Sequence, residues 1–133
     1  MKKKNIEDTE KRLLTEVELE LMTILWRINE GTVGQVMSEL PEGRELAYTS
    51  VSTILRILEQ KKILGTRKEG RGHIYIPLMT KSDYEEKTVR HVVDNIFDGA
   101  PISLIKRLLD TVSITEEELE EIKDLIKKNG KKK

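Results

Sequence analysis

Hydrophobic residues recur with helical spacing as far as Lys62, then give way to short β-favouring runs around a glycine-rich tip. Few folds accept that change of period. Thr15 and Glu18 have capping-box spacing, and Val17, Leu21, Ile24, Leu25 and Ile28 share one helical face before Gly31 stops the pattern. Thr32 and Gln35 open a second, short helix with Val36, Met37 and Leu40 inward, ended by Pro41. After the polar stretch 42–45, a third helix is predicted from about Thr49 to Lys62, with Val51, Ile54, Leu55 and Leu58 at i, i+3, i+4 and i+7. Leu64 to Glu69 and His73 to Pro77, joined by Gly70, Arg71 and Gly72, read as a β-hairpin with a basic tip. Three helices and a hairpin within about 65 residues make a winged helix-turn-helix: mainly α, with a small β wing.

Beyond the hairpin the chain turns helical again. Val89, Val92, Val93, Ile96 and Phe97 form one apolar face ending at Gly99, and Pro101 opens a helix carrying Ile102, Ile105, Leu108 and Leu109. A third capping box, Thr115 with Glu118, precedes Leu119, Ile122, Leu125 and Ile126. Three short helices cannot enclose a useful core of their own. They either fold back on the winged domain or pair with another chain, and the second is expected because the winged domain already looks complete. The sequence therefore divides into a winged DNA-binding domain over 10–80 and a C-terminal three-helix dimerisation region over 81–129, with disordered tails at 1–9 and 130–133.

Composition narrows the partners. There is no cysteine, which removes a disulfide scaffold, a thiolate metal site and a cysteine nucleophile. At 37% hydrophobic and 36% charged the chain is too apolar and periodic for a disordered one. It opens on a lysine cluster without an apolar signal region, and no apolar run approaches the roughly 18 residues that span a bilayer. A cytoplasmic protein without membrane insertion is expected. The zero net charge is unusual for a nucleic-acid binder, but charge is unevenly placed. Arg44 to Lys81 holds eight Lys/Arg against three Asp/Glu, a balance of +5, whereas Ser82 to Ile126 holds five against twelve, a balance of −7. DNA responds to the local face rather than to the total.

The third helix carries the sharpest functional pattern. Opposite its core stripe lie Thr49, Thr53, Arg56 and Gln60, with Ser52 on the flank and Glu59 toward the edge. An ordinary solvated face would favour Lys and Glu in i, i+4 pairs. Short hydroxyls let a helix approach base edges, Arg56 can reach a guanine or a phosphate, and Gln60 a base or the backbone. In the hairpin, Arg67, Lys68 and Arg71 can place cations on phosphates or in the minor groove, though a solvated turn would look similar alone. The remaining candidates are bland. His73 and His91 have no metal-ligand spacing with carboxylates, Trp26 suits a core, and the acidic run from Glu116 to Glu121 suits a solvated helix start. No nucleophile–base pair or phosphate loop is present, so neither catalysis, a cofactor nor a metal is expected.

Three stretches together resemble the penicillinase-repressor (BlaI/MecI/CopY-type) family of winged-helix regulators. They are LTEVELELMTILW from Leu14, TSVSTILRILEQKKIL from Thr49 and KEGRGHIYIP from Lys68, and the likeness runs from about Leu14 to Leu125. The resemblance implies a homodimeric repressor on a dyad operator, with the C-terminal helices as the dimer interface. It places Thr49, Ser50, Ser52, Thr53 and Arg56 where the family's recognition helix meets DNA, and Arg71 at the wing tip. Two departures follow. The cysteine-rich metal hook of the copper-responsive branch is missing, and Arg107-Leu108 stands where the β-lactam-responsive branch is cleaved at Asn-Phe. Neither route of induction is expected, and the inducing signal stays open. A ligand-sensing regulator with an effector pocket between the two regions would share these features. A winged-helix protein-interaction module would need an acidic or apolar third-helix face, unlike the one present.

Overall fold

The computed structural model describes residues 13–131. Its elements are α1 (Glu16–Ile28), α2 (Val33–Ser38), α3 (Tyr48–Gln60), β1 (Leu64–Glu69), β2 (Gly72–Pro77), α4 (Lys81–Asn95), α5 (Pro101–Thr111) and α6 (Glu116–Lys131). The tail expected over 1–9 lies outside the described residues, and α6 carries helix through Gly130 to Lys131.

Local chemistry explains where the helices start. Thr15 and Glu18 close a reciprocal capping box on α1, and Thr32 and Gln35 do the same on α2. Ahead of α6, the Thr115 N–H donates to Glu118 Oε1 at 2.9 Å and the Glu118 N–H to Thr115 Oγ1 at 3.1 Å. Pro101 occupies the first turn of α5, where its missing N–H costs nothing. The stop attributed to Gly31 comes earlier: α1 ends on Asn29, whose φ of 80° turns the chain. Gly31 instead joins the wing, its N–H donating to Tyr75 O at 3.1 Å and its O accepting from the Tyr75 N–H at 2.8 Å.

The wing is a two-stranded antiparallel hairpin in which Leu64 faces Pro77, Thr66 faces Tyr75, Arg67 faces Ile74 and Lys68 faces His73. Gly70 takes a φ of +62° at the turn. Leu21, Met22 and Leu25 of α1, Val36 of α2, Val51, Leu55 and Leu58 of α3 and Leu64 of β1 pack as one fully buried cluster. Each such side chain contributes about 1.5–3 kcal/mol by leaving water.

The chain forms two compact units, Met1–His91 and Val92–Lys133. A boundary between 80 and 81 was expected from sequence, but the first unit runs into α4, because Tyr84 accepts the Leu14 N–H at 3.0 Å and its ring lies 5.9 Å from that of Trp26. In the second unit none of the described residues is buried. Among the described residues no helix is long and apolar enough to cross a membrane.

Candidate nucleic-acid interface

Helix α3 is amphipathic because Val51, Leu55 and Leu58 repeat along one side and are buried there. Polar residues therefore take the other side: Thr49, Ser50, Thr53, Arg56 and Gln60 are exposed and Ser52 is half-buried. A shallow depression lined by Thr49, Ser50, Thr53 and Ile54 opens on this surface. Ala47 at the N-cap makes no side-chain hydrogen bond, so the first-turn amides of α3 stay open.

Three charged contacts orient this helix. In the loop before it, Arg44 forks onto Glu20 of α1, with Nε–Oε2 and Nη2–Oε1 both at 2.8 Å. That pairing lowers the Glu20 carboxyl from its ordinary value, chiefly through the hydrogen bond. At the other end, Lys61 Nζ lies 3.0 Å from Glu18 Oε2, and Glu18 is buried. Toward the wing, Thr66 Oγ1 donates to Glu59 Oε2 at 3.1 Å. The buried Tyr75 sits beside this link: burial raises its phenol, the Glu59 carboxylate adds to the rise and the Arg56 guanidinium opposes it.

The wing cations divide in two. Arg67 is held by Glu30, with Nη2–Oε2 at 2.8 Å and Nη1–Oε1 at 3.3 Å. The hydrogen bond raises the Arg67 guanidinium and lowers the Glu30 carboxyl. Lys68 and Arg71 are exposed, and among the described residues neither they nor Arg56 has an ion-pair partner. Sequence periodicity could not separate Arg67 from its neighbours, since its partner lies 37 residues away. It also passed over Tyr48, which opens α3 and is 59% exposed. Starting the helix one residue earlier would have placed that ring beside the polar face.

The apolar residues expected at a dimer interface are all left uncovered to some degree. Val89, Ile96, Ile105, Leu108, Leu109, Leu119, Leu125 and Ile126 are exposed, while Val92, Val93, Phe97 and Ile122 are half-buried. Ile102 and Val112 are exposed as well. Among the described residues no group of His, Cys, Asp and Glu is placed to hold a metal ion.

A family model described as Penicillinase repressor matches residues 14–128. The chain is similar to the Penicillinase repressor of Bacillus licheniformis, 25% identical over 120 residues, covering 90% of this chain and 94% of that protein. It is 38% identical over 66 residues to the Transcriptional regulator BlaI of Mycobacterium tuberculosis, covering 49% of this chain and 48% of that protein. Among solved structures it is similar to the solution structure of the DNA binding domain of the repressor BlaI. That match has a TM-score of 0.50 at 29% identity, over 56% of this chain and 92% of that one.

Proposed function

Since the chain belongs to the penicillinase repressor family and is a DNA-binding transcriptional repressor, we propose that it acts as a homodimer on a pseudo-palindromic operator, each copy laying α3 in the major groove of one half-site. One observation carries this reading: an exposed α3 face of Thr49, Thr53, Arg56 and Gln60, without a carboxylate, beside the wing cations Lys68 and Arg71, which have no ion-pair partner among the described residues. The hydroxyls allow close approach to base edges, Arg56 donates to guanine O6/N7, and Ser50, Ser52 and Gln60 flank them. Lys68 and Arg71 neutralise phosphates and fix the register. Arg67, already bound to Glu30, braces the wing rather than touching DNA. Repression is by occupancy of promoter DNA in the cytoplasm, where polymerase would otherwise sit.

The dimer reading rests on the second unit. Its helices present Ile96, Ile105, Leu108, Leu109, Leu125 and Ile126 to solvent and bury nothing among the described residues. Exposed apolar side chains concentrated in one small unit are what an interface would cover, and a second copy supplies the same faces about a two-fold axis. The winged domain reads DNA and the region beyond it, 81–129, joins the copies, with half-sites about one helical turn apart or a multiple of it.

Fluorescence anisotropy of the full chain against the DNA upstream of its own gene, beside a scrambled duplex and across a salt series, tests the reading. Tight, steeply salt-dependent binding to the upstream duplex is expected, with Arg56→Ala costing about 1–3 kcal/mol and relaxing specificity. Failure to bind either duplex at low salt would overturn it.

A further inference from the structure

Aromatic side chains are scarce in this chain: one Trp, three Tyr and one Phe. Tyr75 is buried, and Trp26, Tyr84 and Phe97 are half-buried. The Trp26 indole N–H donates to Met79 O at 2.9 Å, and the Tyr84 hydroxyl accepts the Leu14 N–H at 3.0 Å. Tyr48 is the exception. It is the first residue of α3, and the fold leaves its side chain exposed. A ring left in water contributes no burial to the fold, and tyrosine is a weaker helix former than the Lys or Glu of an ordinary solvated face.

The place of the ring on the helix is specific. Tyr48, Ser52, Arg56 and Gln60 follow one another at i, i+4, i+8 and i+12, and so form one row along the helix surface. That row runs on the wing side of the polar face. Beside it Glu59 accepts from Thr66 of β1, and Tyr48, Arg56 and Glu59 all act electrostatically on the phenol of Tyr75 in β2. The depression lined by Thr49, Ser50, Thr53 and Ile54 opens on the other side. All of these residues belong to the winged unit. Residues near the start of a recognition helix are those that meet base edges. In the major groove those edges are polar, with one apolar feature among them, the C5-methyl group of thymine.

Building on the major-groove reading above, we propose that Tyr48 is a specificity-determining residue, its ring packing on the C5-methyl group of one thymine in each half-site. Arg56 and Gln60 meet polar groups farther along the same row, and Tyr48 supplies the apolar contact that they cannot. The operator is thereby biased toward thymine where the first turn of α3 enters the groove, without a hydrogen bond to that base. The ring carries this contact and the hydroxyl does not.

The test uses anisotropy titrations of the full-length protein against the operator duplex upstream of its gene, with deoxyuridine replacing thymidine at one position at a time. That exchange removes the methyl group and keeps every hydrogen-bonding edge. Wild type should weaken about fourfold at the thymine concerned, the worth of one buried methyl group. In Tyr48→Ala the response at that thymine should vanish, whereas Tyr48→Phe should keep it. A thymine met instead by the methyl groups of Thr49 or Thr53 stays sensitive in Tyr48→Ala, so the two sources are told apart. Three results overturn the proposal: no sensitive thymine in wild type, a response that persists at every position in Tyr48→Ala, or one that disappears in Tyr48→Phe. The urea midpoint of Tyr48→Ala should match that of wild type, and a clear fall would assign the ring to the fold and overturn the proposal too. A wild type that binds no duplex at low salt defeats the major-groove reading itself and is recognised before any variant is made.

Discussion

Replacing Glu18 by alanine should make the winged domain unfold markedly more readily. Glu18 serves two contacts at once. Oε1 accepts the Thr15 N–H at 3.0 Å as the returning arm of the capping box, and Oε2 lies 3.0 Å from Lys61 Nζ beyond the end of α3. Losing a capping contact costs about 1 kcal/mol. The side chains are 8% and 31% exposed, which places the ion pair between the surface and buried extremes, at about 1–2 kcal/mol. Glu18→Ala should therefore cost about 2–3 kcal/mol, or about 10–20 °C in Tm for a domain of this size. Lys61→Ala should cost about as much as the pair itself or more, because it strands the less exposed partner. Urea titration followed by the fluorescence of Trp26, at fixed protein concentration, measures both and the double variant. A coupling energy of about 1–2 kcal/mol is expected. A coupling within about 0.3 kcal/mol of zero would refute the idea that this pair ties the end of α3 to α1.

Lys62 has a φ of 65° just after α3, a conformation that costs a residue with a Cβ about 1–2 kcal/mol. Lys62→Gly should raise the urea midpoint by an amount equivalent to about 0.5–1 kcal/mol, once glycine's greater freedom when unfolded is counted. Arg71→Ala should reduce the salt slope of DNA binding by about one unit, and Arg67→Ala by less, because Glu30 already holds Arg67. Glu30→Gln should weaken this brace and leave the slope nearly unchanged; a steeper slope would show that Arg67, once released, reaches phosphate. Glu20 and Glu30 both have folded-state carboxyls below their ordinary value of 4.5. Their contribution is thus complete above that value and lost as pH falls through the lower folded-state values. Carboxyl NMR titrations of the wild type and of Arg44→Gln and Arg67→Gln should show each shift removed with its own arginine.

What could be read from the sequence was whatever is local. Thr15 with Glu18, Thr32 with Gln35 and Thr115 with Glu118 are reciprocal caps three residues apart, so pattern and contact are nearly the same object. The hairpin was readable because Gly70 and Gly72 bracket Arg71 between β-favouring runs. Met22 escaped the first-helix stripe because α1 is buried over an arc wider than one stripe, and the residue after Leu21 is as fully covered as Leu21 itself. Contacts between distant residues leave no period at all. Glu18 meets Lys61 across 43 residues, Trp26 meets Met79 across 53 and Leu14 meets Tyr84 across 70.

These distant contacts fall on a different set of residues from those on the exposed polar face of α3. Arg44–Glu20, Lys61–Glu18 and Thr66–Glu59 hold the start, end and wing side of α3, yet none uses Thr49, Thr53, Arg56 or Gln60. Orientation of α3 is therefore set in part by two ion pairs whose charges offset one another within the protein, Arg44–Glu20 and Lys61–Glu18. Its exposed face is left with short hydroxyls and one arginine that has no ion-pair partner among the described residues. Glu18, Glu20 and Glu30 each have a basic partner within the protein, which reduces their weight in the local field, while Glu59 accepts only from the neutral Thr66 hydroxyl. Among the described residues, Arg56, Lys68 and Arg71 are the cations of α3 and the wing without an ion-pair partner, and they weigh most on the local field at that face.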